Sequence, residues 1–431
     1  MSIGALRGET PSLDDWLNQL KGTRELGPLL SQAEGERKDA GYLHTLREIA
    51  QQPITWFETA KAAAQGAPDL VRLLAQVGIH KEGDRTGAFF LTGSGSSHCI
   101  AQCLAPTYQQ TFRVPALAVP AGNVLTHPSE ASPFTHPGLV VSLARSGESP
   151  ESTALVDHVL RAHPSAQHLI YTCNADGTLA TKYRTDARVT CVVLDKKTND
   201  RSLVMTSSFT NLFVAAHALT SLDDTASYVR RVERLARVGA DILAECSPLA
   251  NVARRDFRSA IYLGSGARFG AARESALKML EMTGGQVFTF GETYLGLRHG
   301  PMCAVQRDTL LVCFLSSDPV ARAYETDLLE ELGDKGLGLA KVLVGSQVPE
   351  SIVGAQDVVV DTGTPMVDDG DLPALDVLVG QLLAFFQCRA LGLRPDAPSP
   401  DNVIRRVVAK FAIHGHGRKP AVFDGPPPSV S

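Results

Sequence analysis

The segment ARESALKMLEMTGG (272–285) carries Glu274, Lys278 and Glu281 at positions i, i+4 and i+7. On a helix turning ~100° per residue, that spacing puts all three on one narrow face. A carboxylate, an ammonium and a second carboxylate held together could move a proton between neighbouring carbons of a sugar. The competing reading is a solvated face with an ordinary Glu-to-Lys pair, set opposite an apolar stripe of Ala272, Ala276, Met279 and Leu280. In YLGLRHGPMC (294–303), Arg298 and His299 lie between glycines and just before a proline, a poor helix and a poor strand. Histidine suits proton transfer near neutral pH, although a loop histidine need not act at all.

Two serine-rich turns could hold a phosphate. AFFLTGSGSSH (88–98) and GLVVSLARSGES (138–149) each end a β-rich run in Gly and Ser and lead into helical sequence. Glycines let the backbone approach an anion, while hydroxyls and helix N-terminal amides donate to its oxygens. Ser96, Ser97, Ser146 and Ser149 are the natural donors. The same residues could simply cap helices. A dinucleotide site is disfavoured, because neither turn fits G-x-G-x-x-G with a ribose-binding acid ~20 residues on.

These residues must be positioned by an alternating pattern. QHLIYTCNADG (167–177) and RVTCVVLD (188–195) continue the β-rich runs of the first half, with helical sequence between them. The pattern begins again with SAIYLGSGARFGAARE (259–274), QVFTFGE (286–292), TLLVCFLSS (309–317), KVLVGS (341–346) and DVVVDTG (357–363). Such alternation predicts βαβ units and parallel sheets. Both rounds open on Gly-Ser-Gly, at Gly93 and Gly264, 171 residues apart, so the fold class is α/β with a repeated domain. Residues 1–40 are polar and read as a flexible extension, and 41–85 as an amphipathic helical segment. The first domain then spans 86–225, a connecting helix 226–256, the second domain 257–395, and a tail that looks disordered 396–431.

The 431 residues include 41 basic and 46 acidic side chains, a net charge of −5 that excludes a basic nucleic-acid binder. Eight scattered cysteines form no CxxC pair and no zinc spacing, so no metal site and a reduced compartment are expected. No apolar leader and no stretch of ~18 apolar residues occur, and a soluble cytoplasmic protein is the expectation.

Taken in order, REIAQQP (47–53), RSGESPES (145–152), TCNADGTLA (172–180), NDRSLVMTSSFTN (199–211), ARESALKMLEMTGG and LGLRHGP resemble the sugar isomerase (SIS) domain family. They are most similar to its subgroup described as tagatose-6-phosphate ketose/aldose isomerase or galactosamine-6-phosphate deaminase. The resemblance covers about residues 42–414 and implies two tandem SIS domains, a phosphosugar substrate and no organic cofactor. A second similarity is to the isomerase half of glucosamine-6-phosphate synthase. It implies that Glu281 shuttles the proton and that His299, supplied by the partner subunit of a homodimer, opens the sugar ring. It further implies that Glu274 and Lys278 contact hydroxyls and hold Glu281, and that Ser97, Ser146 and Ser149 bind phosphate beside Ser96.

Three departures from the synthase stand out. No glutaminase domain with an N-terminal cysteine precedes the repeat, since Ser2 follows Met1. Ala144 and Arg145 replace its Ser and Gln, which makes Arg145 a candidate substrate contact. Arg406 lies near where the synthase has a lysine, and an arginine cannot form a Schiff base. The function implied is conversion of galactosamine 6-phosphate to tagatose 6-phosphate and ammonia, through an enol-type intermediate and loss of an imine to water. The alternatives are the same isomerisation without deamination, or a non-catalytic phosphosugar sensor, which would have no need of Glu281 and His299.

Overall fold

The computed structural model describes residues 11–80, 87–131, 138–363 and 368–399, with 403, 404, 406, 411–415 and 418–421. Its β-rich runs form two five-stranded sheets. The first contains β1 (Phe89–Gly93), β2 (Ala116–Pro120), β3 (Leu139–Ala144), β4 (Gln167–Thr172) and β5 (Val189–Val193) in the order β2-β1-β3-β4-β5. The second contains β6 (Ser259–Leu263), β7 (Phe288–Glu292), β8 (Thr309–Phe314), β9 (Ala340–Gly345) and β10 (Val358–Asp361) in the order β10-β9-β8-β6-β7. Every pairing within them is parallel. Read from the other edge, the second order repeats the first, strand for strand.

The central strands FFLTG, LVVSLA, SAIYL and TLLVCF are buried along their whole length. That is why they read as continuous apolar runs: helices cover both faces of each sheet. β2 escaped the sequence reading because it is a short edge strand, bounded by prolines and largely half-buried, with little apolar signal. In both sheets the strand order reverses beside the first strand, at β1/β3 and β6/β8, and ligands of such folds bind outside the carboxyl ends of the strands there.

Helix Ser96–Phe112 follows β1, helix Ala267–Met282 follows β6, and the two pack together. The approach is close enough that a Cβ on Gly270 would lie 2.7 Å from both the Cys103 nitrogen and the Cys99 oxygen. Only glycine fits there, and the contact fixes how far the second domain's helix slides along the first domain's.

Residues 13–39, expected to be part of a flexible extension, form helices Leu13–Leu20, Leu26–Ser31 and Glu34–Asp39. Ser12 caps the first through Asp15, and Trp16, Leu20, Leu26 and Leu30 are buried. The Trp16 indole donates to the Ala50 carbonyl at 2.8 Å, tying these helices to helix Leu43–Ala50. Polar composition hid the signal, because short helices need only one apolar stripe. The connecting segment 226–256 holds two helices instead of one, Thr225–Ala244 and Ser247–Ala253, with Pro248 starting the second. In the expected disordered tail, Ile413–Gly415 pairs antiparallel with Arg418–Ala421; residues 422–431 lie outside the described residues.

Candidate active site between the two domains

After β1 and after β6 the chain makes the same turn. Gly95 has φ 55° and ψ −125°, Gly266 has φ 57° and ψ −130°, and each precedes the first residue of its helix. A residue with a side chain would be strained in that left-handed region. The turn thereby aims the helix N-terminus at the switch point of its sheet.

Helix Ala267–Met282 carries Glu274, Lys278 and Glu281 out of its own domain and onto the first domain's turn. Lys278 donates to Ser96 Oγ at 3.0 Å, lies 3.2 Å from Glu274 Oε1, and pairs with Glu281 Oε2. Glu274 and Lys278 are fully buried, whereas the Glu281 side chain keeps 30% of its surface. The solvated-face alternative is therefore excluded for the first two. Burial pushes the Glu274 carboxyl up to about 7, opposed by Lys278 and reinforced by Glu281. The two carboxylates in turn outweigh burial at Lys278 and raise its ammonium above the usual value. The result is a permanently charged ammonium between one buried acid titrating near neutrality and one carboxylate open to a ligand.

The LARSGES turn lies at the carboxyl end of β3 and leads into helix Pro150–Ala162. It is held from outside: Asn174 Nδ2 donates to the Ser146 carbonyl at 2.9 Å, and Glu148 accepts from Thr178 N and Oγ1 at 3.1 Å. Ser149 occupies the N-cap position, yet its hydroxyl makes no capping bond and is buried without a partner. An unpaired buried hydroxyl at an uncapped helix N-terminus is the arrangement an anion would satisfy.

In the second domain the corresponding features are satisfied by the protein's own side chains. At the end of β8, Asp318 caps helix Pro319–Asp334 by accepting from Val320 N and Ala321 N, each at 2.9 Å. Asp369 accepts from Ser317 N at 2.8 Å, Ser317 Oγ at 2.9 Å and Ser316 Oγ, and Glu325 accepts from Ser316 N at 2.7 Å. Where the first domain has Ser97, four residues beyond the turn's first glycine, the second has Arg268, fully buried in an ion pair with Asp376. The protein's own carboxylates fill the second turn; the first remains open.

Arg145 is buried with its guanidinium committed to backbone carbonyls, donating to Ser202, Leu203 and Arg406 at 3.3, 3.0 and 2.9 Å. Arg406 donates to Asn199 Oδ1 at 2.6 Å. Both arginines thus brace loop 199–206, a role that their sequence context did not suggest. Sequence reasoning also missed two acids behind that loop. Asp200 accepts from Thr206 N, Ser207 Oγ and Ser208 N at 2.6, 2.7 and 2.9 Å. Glu48 accepts from Ser202, and burial beside Asp200 pushes its carboxyl up to about 8. Both lie in motifs that drew attention for their order along the chain, with no spacing to mark the acids.

His299 follows the short helix Tyr294–Leu297, is exposed, and its ring has no hydrogen-bond or ion-pair partner among the described residues. Arg298 beside it pairs with Glu331 at 2.9 Å. Among the described residues no three His, Cys, Asp or Glu side chains are grouped to hold a metal, and no helix is long and apolar enough to cross a membrane.

Two repeated five-stranded parallel sheets, with an open serine turn on one and an acid-ammonium-acid face supplied by the other, make up a tandem SIS-domain fold. No family model matches the chain. A Streptomyces coelicolor protein provisionally named D-galactosamine-6-phosphate deaminase AgaS is 35% identical over 381 residues, covering 87% of this chain and 96% of its own length. D-galactosamine-6-phosphate deaminase AgaS of Escherichia coli O157:H7 is 30% identical, covering 86% and 95%. Among solved structures, tagatose-6-phosphate ketose/aldose isomerase from Escherichia coli has a TM-score of 0.77 at 27% identity, covering 85% of this chain and 97% of that one. The chain belongs to the D-galactosamine-6-phosphate deaminase AgaS family, a family of enzymes.

Proposed function

We propose that the protein converts galactosamine 6-phosphate to tagatose 6-phosphate and ammonia. The observation that carries this reading is the Glu274–Lys278–Glu281 group of the second domain set against Ser96 in the first domain's serine turn after β1. The substrate phosphate occupies the donors of Ser97, Ser146 and Ser149 with the adjoining amides. His299 assists opening of the ring to the aldehyde. Glu281, the member of the group with exposed surface, then takes the proton from carbon 2 and leaves an enol. Returning it to carbon 1 forms a C–H bond and leaves an imine at carbon 2, which water converts to the ketone with release of ammonia. Lys278 offsets negative charge developing on the enol oxygen, and Glu274 holds Lys278.

A homodimer in the reducing cytoplasm completes the reading, with His299 serving the neighbouring subunit's site. Its exposure, together with that of Leu295 in the preceding helix, supports that arrangement. The test is ammonia release from galactosamine 6-phosphate, run beside glucosamine 6-phosphate and tagatose 6-phosphate, with Glu281→Gln as the blank. Ammonia from the native protein and none from the variant is expected. Ketose-aldose interconversion of tagatose 6-phosphate without ammonia from either amino sugar would instead make it a plain isomerase.

A further inference from the structure

A second cavity, of about 650 Å³, opens between the N-terminal helices and the turn after β5. Its volume falls within the ~300–1,000 Å³ common for small-molecule sites. It shares none of the serines of the candidate active site and neither Glu274 nor Glu281. Glu48, Asn199 and Arg406, which hold loop 199–206 from behind, belong to both descriptions.

The lining is cationic. Arg37, Arg47, Lys196 and Arg201 face it, and none of their side chains makes an ion pair or a hydrogen bond with a described residue. Lys197 also lines it but is neutralised by Glu58 at 2.8 Å. The buried Nε of Arg37 and of Arg406 lacks an acceptor. Of the two acids in the lining, Glu48 is buried against Ser202, which leaves exposed Glu34 as the one carboxylate at the rim. Leu43 is the only aliphatic side chain in the wall, so an apolar ligand would gain little there. Four guanidinium or ammonium groups gathered around one concavity, with Glu34 as the one carboxylate at its rim, repel one another, and a ligand bearing several negative charges relieves that repulsion.

We propose that this cavity binds a small polyanion carrying two or more phosphate groups, at a site separate from the phosphosugar site. Three elements bring the cations together, helix Glu34–Asp39, helix Leu43–Ala50 and the 196–201 turn, so the site exists only because the first forty residues are folded onto the domain.

The test uses the full chain with Glu281→Gln, which spares the sugar from turnover, and isothermal titration calorimetry at low salt. Galactosamine 6-phosphate is titrated first; absence of heat at that step would count against the function proposed above and not against the cavity. Inorganic diphosphate is then titrated with and without saturating sugar. One equivalent is expected to bind in both cases. Arg47→Ala with Lys196→Ala, both exposed and outside loop 199–206, should weaken diphosphate binding about tenfold or more. Sugar binding, and turnover when the pair is placed in the native background, should stay as they were. No diphosphate binding, displacement of diphosphate by the sugar, or unchanged affinity in the double variant would overturn the proposal.

Discussion

Replacing Lys278 with Met keeps the length of a buried side chain and removes the charge that Glu274 and Glu281 share. Glu274 titrates at about 7 in the native fold and near 4.5 when exposed. Its raised value means that stability is fully present below about 4.5 and declines as pH rises, because the unfolded chain gives up the proton first. In the native protein that decline ends just above 7, where the folded carboxyl ionises too. Without the ammonium, burial and Glu281 keep Glu274 protonated to higher pH, so the decline continues at about 1.4 kcal/mol per unit. The deficit of Lys278→Met relative to native should therefore grow as pH rises above about 7, by roughly 2–3 kcal/mol between pH 7 and pH 9. Losing the pair with Glu281, and no longer burying an ammonium, shift the whole curve without changing its slope.

Urea unfolding followed by the fluorescence of buried Trp16 and Trp56, from pH 6 to pH 9, measures the slope. Glu274→Gln combined with Lys278→Met provides the control, since with no titrating group at 274 the growing deficit should vanish. Other raised acids, such as Glu325 at about 7 and Asp376 at about 6, titrate alike in every variant and cancel. A deficit that stays constant across this range would refute the coupling of Glu274 to Lys278.

Chains carrying His299→Ala and chains carrying Glu281→Gln should each be inactive, and mixing them after mild unfolding should restore part of the native ammonia release through hybrid sites; no recovery with mixing confirmed would place both residues in one chain's site. Ser149→Ala removes a buried hydroxyl that has no partner in the free protein, so KM for the phosphosugar should rise about tenfold with kcat little changed, read from initial rates; an unchanged KM would take Ser149 out of the phosphate site. Asp369→Ala leaves Ser316 and Ser317 without their acceptor, which should cost about 1–3 kcal/mol. Millimolar phosphate should return part of that loss in a thermal melt, and a melt indifferent to phosphate would show that the second turn is no vestigial anion site.

The repeat was legible because a parallel sheet covered on both faces writes its strands as unbroken apolar runs, and because both domains open on the same Gly-Ser-Gly turn. The helical face of Glu274, Lys278 and Glu281 was legible from spacing, but its burial was not. That depends on Ser96 and the Ser96–Phe112 helix, 182 residues away from Lys278 in the chain, and no local pattern carries such a contact. Arg145 drew attention for replacing the synthase's Gln and Arg406 for lying near its lysine, whereas the fold commits Arg145 to the carbonyls of Ser202, Leu203 and Arg406, and Arg406 to Asn199. Trp16 and Leu20 were passed over because the acids and lysines around them dominate the composition of the first forty residues. Composition averages over a helix and discards the one face that packs.

The division of labour between the domains explains why the contact at Gly270 matters more than its size suggests. On the proposed function, phosphate donors come from the first sheet and proton-transfer groups from the second, so neither domain holds a complete set. Their relative position must then be as exact as the geometry of a single pocket, since a misplacement of ~1 Å can cost a factor of ~100 in rate. Sliding helix Ala267–Met282 by one turn would carry Lys278 ~5.4 Å along its axis and break its bond to Ser96. Backbone atoms of Cys99 and Cys103 against a glycine, at separations where no Cβ fits, leave little room for such a slip. In the second domain Asp318 and Asp369 occupy the donors of the turn after β8, while the helix after β6 presents two carboxylates and an ammonium to the first domain's turn.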